Sequence, residues 1–102
     1  MKKTKIILAD DHPIVLMGVC ELIERDERYE VVGQALTSSD LIEQVQRLKP
    51  DIIVTDYNMP GDETYGDGVK LIEYLIRNYP QVQILVLTML TNNLILSRLY
   101  DL

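Results

Sequence analysis

Four short apolar bursts, at residues 5–9, 30–36, 51–55 and 83–88, alternate along this chain with segments whose apolar residues recur at helical spacing. No other feature restricts the fold as much. Strand-sized runs separated by helices pair in parallel, each joined to the next by a helix that crosses the face of the sheet. Such a sheet is buried on both faces, so its strands are continuously apolar, as Lys5-Ile6-Ile7-Leu8-Ala9 and Ile52-Ile53-Val54 are. The expectation is an α/β domain built on a doubly wound parallel sheet.

The intervening segments carry helix signals. Asp11 is placed to cap a first helix over about 12–26, with Pro13 in its first turn and Val15, Val19, Leu22 and Ile23 on one face. After a strand at Val31–Ala35, Ser38 or Ser39 opens a second helix with Leu41, Ile42, Val45 and Leu48 inward, stopped by Pro50. A third helix buries Val69, Leu71, Ile72, Leu75 and Ile76 and ends at Tyr79-Pro80. The last segment, Asn92 to Leu102, has helical spacing in Leu94, Ile95, Leu99 and Leu102.

With 102 residues, 47% of them hydrophobic, the chain forms one domain with a real core. No apolar run reaches membrane-spanning length, and the basic start leads directly into a strand too short for a signal peptide. A soluble, cytoplasmic protein is expected, with no membrane partner. The net charge of -6 argues against nucleic-acid binding by this segment, because counterion release needs a basic face. The single cysteine, Cys20, has no disulfide partner or metal-ligand spacing and reads as an inert packed thiol.

Parallel strands align their carboxyl ends at one sheet edge, where open α/β sheets bind ligands. Here those ends carry Asp10-Asp11, Asp56 and Thr88. Three carboxylates brought together repel one another unless a cation sits among them, and an oxygen-only set with room for water and a phosphate suits Mg2+. One carboxylate can then act as nucleophile toward phosphorus. Asp56 fits that role: it stands alone at its strand end, whereas Asp10 and Asp11 are adjacent and suited to ligation. The Asn58 carbonyl is a further ligand candidate, and the Thr88 hydroxyl and the amides of Tyr57 and Met89 are donors for phosphate oxygens.

This ordered set resembles the receiver domain of two-component response regulators. The acidic pair after the first strand, Asp56-Tyr57-Asn58-Met59-Pro60 after the third and Thr88 after the fourth match that pattern over essentially the whole chain. Ala9-Asp10-Asp11-His12-Pro13, Met59-Pro60-Gly61-Asp62, Tyr65-Gly66-Asp67-Gly68 and Val86-Leu87-Thr88-Met89 are most similar to receivers that precede a LuxR-type helix-turn-helix domain. The resemblance implies a flavodoxin-like (βα)5 fold with strand order 2-1-3-4-5. It implies Asp56 as phosphoacceptor, Asp11 as direct Mg2+ ligand, Asp10 as a ligand largely through water, Asn58 as carbonyl ligand and Thr88 as switch hydroxyl. The partners it implies are a sensor histidine kinase or histidine phosphotransfer protein, a second copy of the chain, and DNA through a C-terminal helix-turn-helix domain outside residues 1–102. The resemblance further implies a regulator, not an enzyme.

The family also has a fifth strand bearing a lysine and an aromatic, which this chain does not reach. The expectation is a receiver lacking its fifth strand and helix, with a bared fourth-strand edge that favours self-association. The alternative is a phosphorylation-independent pseudo-receiver serving as an interaction module. His12 reads as an exposed helix-start residue, since phosphoryl transfer to a carboxylate removes no proton. Tyr57 and Tyr65 read as covers over the sheet edge, and Asp62, Glu63 and Asp67 as a solvated acidic loop. A haloacid-dehalogenase-type phosphatase would need an acid where Asn58 stands.

Overall fold

The structure, a computed structural model, describes residues 2–56 and 68–87. Within them the chain alternates β1 (Thr4–Ala9), α1 (Pro13–Glu24), β2 (Tyr29–Ala35), α2 (Ser38–Leu48), β3 (Ile52–Asp56), α3 (Gly68–Asn78) and β4 (Gln83–Leu87). The strands form one parallel sheet in the order β2-β1-β3-β4. This is the doubly wound α/β sheet expected from the apolar bursts. Any fifth strand, and the helical segment expected over Asn92–Leu102, fall outside the described residues.

Strand parity divides the core in two. Ile7, Ala9 and Ile53 face Leu41, Ile42 and Val45 of α2 and Leu71 and Leu75 of α3, while Ile6, Leu8 and Val54 face Leu16 of α1. Both sides of β1 and β3 are thereby dry, which is why those strands tolerate no polar alternation.

The helices start and stop where local chemistry dictates, with several corrections to the sequence reading. Pro13 occupies the first turn of α1, but the residue at the N-cap is His12, in extended backbone and without a side-chain cap bond; Asp11 does not cap. The face of α1 toward the sheet is Leu16, Val19, Cys20 and Ile23, and Leu22 is 63% exposed. Helix α2 begins at Ser38, capped by the preceding Thr37, whose Oγ1 accepts from the Asp40 amide at 3.2 Å. It ends at Lys49 in the left-handed region, φ 49°, just before Pro50. In α3, Leu71, Ile72 and Leu75 are buried, but Val69 and Ile76 are half exposed, and Tyr74 and Tyr79 pack against the core instead.

One bulge interrupts the β1–β2 ladder, where Ile6 pairs with Val31 and Ile7 with Gly33. A side chain at Gly33 would collide with Gln44 of α2, whose Nε2 donates to the Gln34 carbonyl at 2.7 Å. Glycine at this bulge lets Gln44 and Leu48 approach the strand closely, and a larger residue would have to push those side chains aside. The β1–β3 ladder is regular, each residue pairing with one 46 positions later. At its amino end the Lys5 amide donates to Asp51 Oδ2 at 2.8 Å and the Asp51 amide to the Lys5 carbonyl at 2.9 Å, fixing that offset. Among the described residues no helix is long and apolar enough to cross a membrane.

Candidate functional site

The same offset that matches Lys5 with Asp51 matches Asp10 with Asp56. Asp10 follows the last residue of β1 and Asp56 is the last of β3, so both acids lie at the carboxyl edge of the sheet, on the parity of the α1 face. Each is only 2% exposed. The end of β1 is tied to that of β2 by the Asp10 amide, which donates to the Ala35 carbonyl at 3.0 Å. Asp56 pairs in register with Leu87 of β4, so the chain passes directly from Asp56's neighbour to Thr88.

Asp11, on the turn into α1, is more open, with 34% of its side chain exposed. One ligand atom from each of Asp10, Asp11, His12 and Asp56 lies within 4.8 Å of all the others. Three of the five residues singled out from the sequence are therefore brought together. Asn58 and Thr88 lie outside the described residues, as do Tyr57, Tyr65, Asp62, Glu63, Asp67 and Met89.

The residue that sequence reasoning undervalued is His12. It is half exposed as expected, yet its Nδ1 lies 2.8 Å from Asp10 Oδ1 and 2.8 Å from Asp11 Oδ1, and its backbone amide donates to Asp10 Oδ1 at 2.9 Å. The hydrogen bond to Asp10, followed by the charge of Asp11, raises the imidazole pKa above its ordinary value. The local signal was present. A residue preceding proline is held out of the helical region, and His12 (φ -112°, ψ 102°) accordingly turns back over the acids instead of joining α1.

Chemically, buried carboxylates of like charge are costly unless a cation or donor offsets them. The imidazole supplies part of that offset. The remaining oxygen-rich donor set of Asp10, Asp11 and Asp56 is able to hold a metal ion. Cys20 takes no part: its thiol donates weakly to Glu24 Oε1 at 3.6 Å, and burial, with Glu24 beside it, pushes its pKa up, which disfavours the reactive thiolate.

Comparison with known proteins agrees with this geometry. Residues 6–102 match the family model described as "Response regulator receiver domain". The transcriptional regulatory protein RcsB of Salmonella typhi is 46% identical over all 102 residues, which span 47% of that relative. The crystal structure of the non-phosphorylated receiver domain of the stress response regulator RcsB from Escherichia coli superimposes with a TM-score of 0.85 at 44% identity, over 98% of this chain and 76% of that one. RcsB from Salmonella enterica serovar Typhimurium, bound to a promoter in the presence of the phosphomimetic BeF3-, superimposes equally well, TM-score 0.85 at 44% identity, over 98% of this chain and 49% of that one. The chain thus spans about half the length of the curated relatives it matches. With its sheet order, its acidic edge and these matches in agreement, the chain belongs to the response-regulator receiver domain family and is RcsB-like within it.

Proposed function

We propose that this chain is the phosphoacceptor receiver of a two-component transcriptional regulator, and that Asp56 is the residue phosphorylated. The observation that carries the reading is the convergence of the buried Asp56 with Asp10 and Asp11 at the carboxyl edge of the sheet. An Asp56 carboxylate oxygen attacks the phosphorus of a phosphohistidine. The P–N bond breaks, and its electron pair stays on the donor imidazole. No base is needed, because the carboxylate is the nucleophile in its ionised form.

Asp11, Asp56 and the Asn58 carbonyl would hold Mg2+ directly, and Asp10 largely through water. When bound, the ion neutralises charge on the transferring group. The Thr88 hydroxyl, next in sequence to the residue paired with Asp56, would donate to a phosphate oxygen and report the modification.

The donor is a sensor histidine kinase or a histidine phosphotransfer protein. The response is a change in dimerisation and in DNA binding through a helix-turn-helix domain beyond residues 1–102, in the cytoplasm. Support comes from the RcsB relative solved on a promoter with a phosphomimetic. Incubation with a radiolabelled phosphohistidine donor tests the reading: the natural protein should be labelled and Asp56→Ala should not. Label surviving on that variant would place the nucleophile elsewhere. An unlabelled but folded natural protein would favour a phosphorylation-independent interaction module.

A further inference from the structure

We propose that Thr55 is a positioning residue for phosphoryl transfer: its hydroxyl holds the Asp56 carbonyl and so fixes the strand end from which the acceptor carboxylate projects. The proposal rests on the reading of Asp56 as phosphoacceptor. Thr55 is fully buried, and its Oγ1 donates to the Asp56 carbonyl oxygen at 3.2 Å. Paired with Ala9 and two residues beyond Ile53, it shares the parity of the core that lies under α2 and α3. Its companions there, Ile7, Ala9 and Ile53, are all apolar.

Packing alone does not call for a hydroxyl at this position. Valine has nearly the same shape and the same preference for strands, and it brings no polar group that must be desolvated on folding. Departures of this kind from the local pattern gather at functional positions. The bond also has a direction that suits the chemistry. Carbonyls of a flat strand lie in the plane of the sheet, whereas the threonine hydroxyl stands off that plane on its own face. The bond therefore draws the Asp56 carbonyl toward the α2 and α3 face, while the Asp56 side chain, one residue on, leaves on the α1 face. A planar trans peptide carries its N–H opposite its C=O, so a plane held in this way offers its hydrogen on the side of the carboxylate, where a transferred phosphoryl group needs donors. Without the hydroxyl that plane is free to turn.

Phosphoramidate, which carries the P–N bond of a phosphohistidine and needs no docking surface, serves as the probe. Phosphorylation in the presence of Mg2+ is followed on phosphate-affinity gels, with Asp56→Ala as the unlabelled control, and stability is measured by urea unfolding. Thr55→Val should slow phosphorylation by about tenfold or more, whereas Thr55→Ser, which keeps the hydroxyl, should stay within about twofold of the natural rate. Thr55→Ser, having lost a buried methyl, should nevertheless be the less stable of the two. Rate and stability then rank the variants in opposite orders, which a merely structural role does not produce. A Thr55→Val rate within about twofold of natural, a Thr55→Ser rate as slow as that of Thr55→Val, rates that follow stability, or a Thr55→Val that does not fold would each overturn the assignment. A natural protein that takes no label would overturn it together with the phosphoacceptor reading.

Discussion

The two edges of this sheet put acidic side chains to opposite uses. At the amino edge, Asp51 accepts a hydrogen bond from the Lys5 amide, and in the turn leading into β2 Asp26 is clamped by Arg28, with contacts of 2.6–3.1 Å. Each of those acids meets a donor and holds the frame together. At the carboxyl edge, Asp10 and Asp56 are buried beside Asp11, with one imidazole among them. At the amino edge each acid is matched with a donor of the frame, whereas at the carboxyl edge three acids gather and His12 bonds to two of them, Asp10 and Asp11.

That contrast can be broken by substitution. The largest effect is expected at Asp10, where Asn keeps an oxygen acceptor for His12 and removes one buried charge. In metal-free buffer Asp10→Asn should raise stability by about 1–2 kcal/mol, as relief of a functional site commonly does. Added Mg2+ should narrow the gap by stabilising the natural protein more than the variant. Urea unfolding with and without the ion measures both, and a destabilised Asp10→Asn would mean that the carboxyl edge is structural too.

Asp51→Ala should move stability in the opposite direction, a loss of about 1 kcal/mol for one hydrogen bond to a carboxylate at an exposed strand end. It should leave Mg2+ affinity little changed, because the regular ladder beyond it still sets the 46-residue offset. Unchanged thermal stability in this variant would count against the amino-edge half of the contrast.

The smallest effect is at Asp26, whose carboxyl is held well below its ordinary 3.8, at about 2, chiefly by side-chain hydrogen bonds from Arg28. A depressed carboxyl pKa contributes stability that is present above the unfolded value and lost as pH falls through the folded one. Asp26→Asn should therefore flatten the acid limb of the stability profile between about pH 4 and pH 2 and alter little at neutrality. The group is fully solvent exposed, and an acid titration followed by circular dichroism would detect the change in slope.

Much of this was legible from residues alone. Continuous apolar runs gave the four strands within about two residues at their starts and ends, and Pro13 and Pro50 marked helix limits because proline cannot donate. The acids at the strand ends could be read as a cluster because parallel strands share an edge. Helix α1 was less legible: Ile14, Met17 and Leu22 are apolar yet exposed, so its period does not single out the face that Leu16 leads. By contrast α2 has a clean apolar stripe and opens at Ser38 as read, with Thr37 before it as the cap. The role of His12 escaped because it depends on a backbone turn, which spacing does not report.

The interior position of β1 has a consequence for how the protein is made. Of the four strands this one leaves the ribosome before the others, yet it needs neighbours on both sides, β2 on one flank and β3 on the other. Synthesis supplies β2 first, joined through α1, and a β1–α1–β2 unit can close through local contacts while β3 is still untranslated. Asp10 thus waits at the end of a half-built sheet, still open to water. Only when β3 docks does Asp56 arrive beside it, and by then Ile52, Ile53 and Val54 are entering the ladder. The electrostatic penalty of the site is deferred to a late step of assembly, where burial of the third strand can carry it.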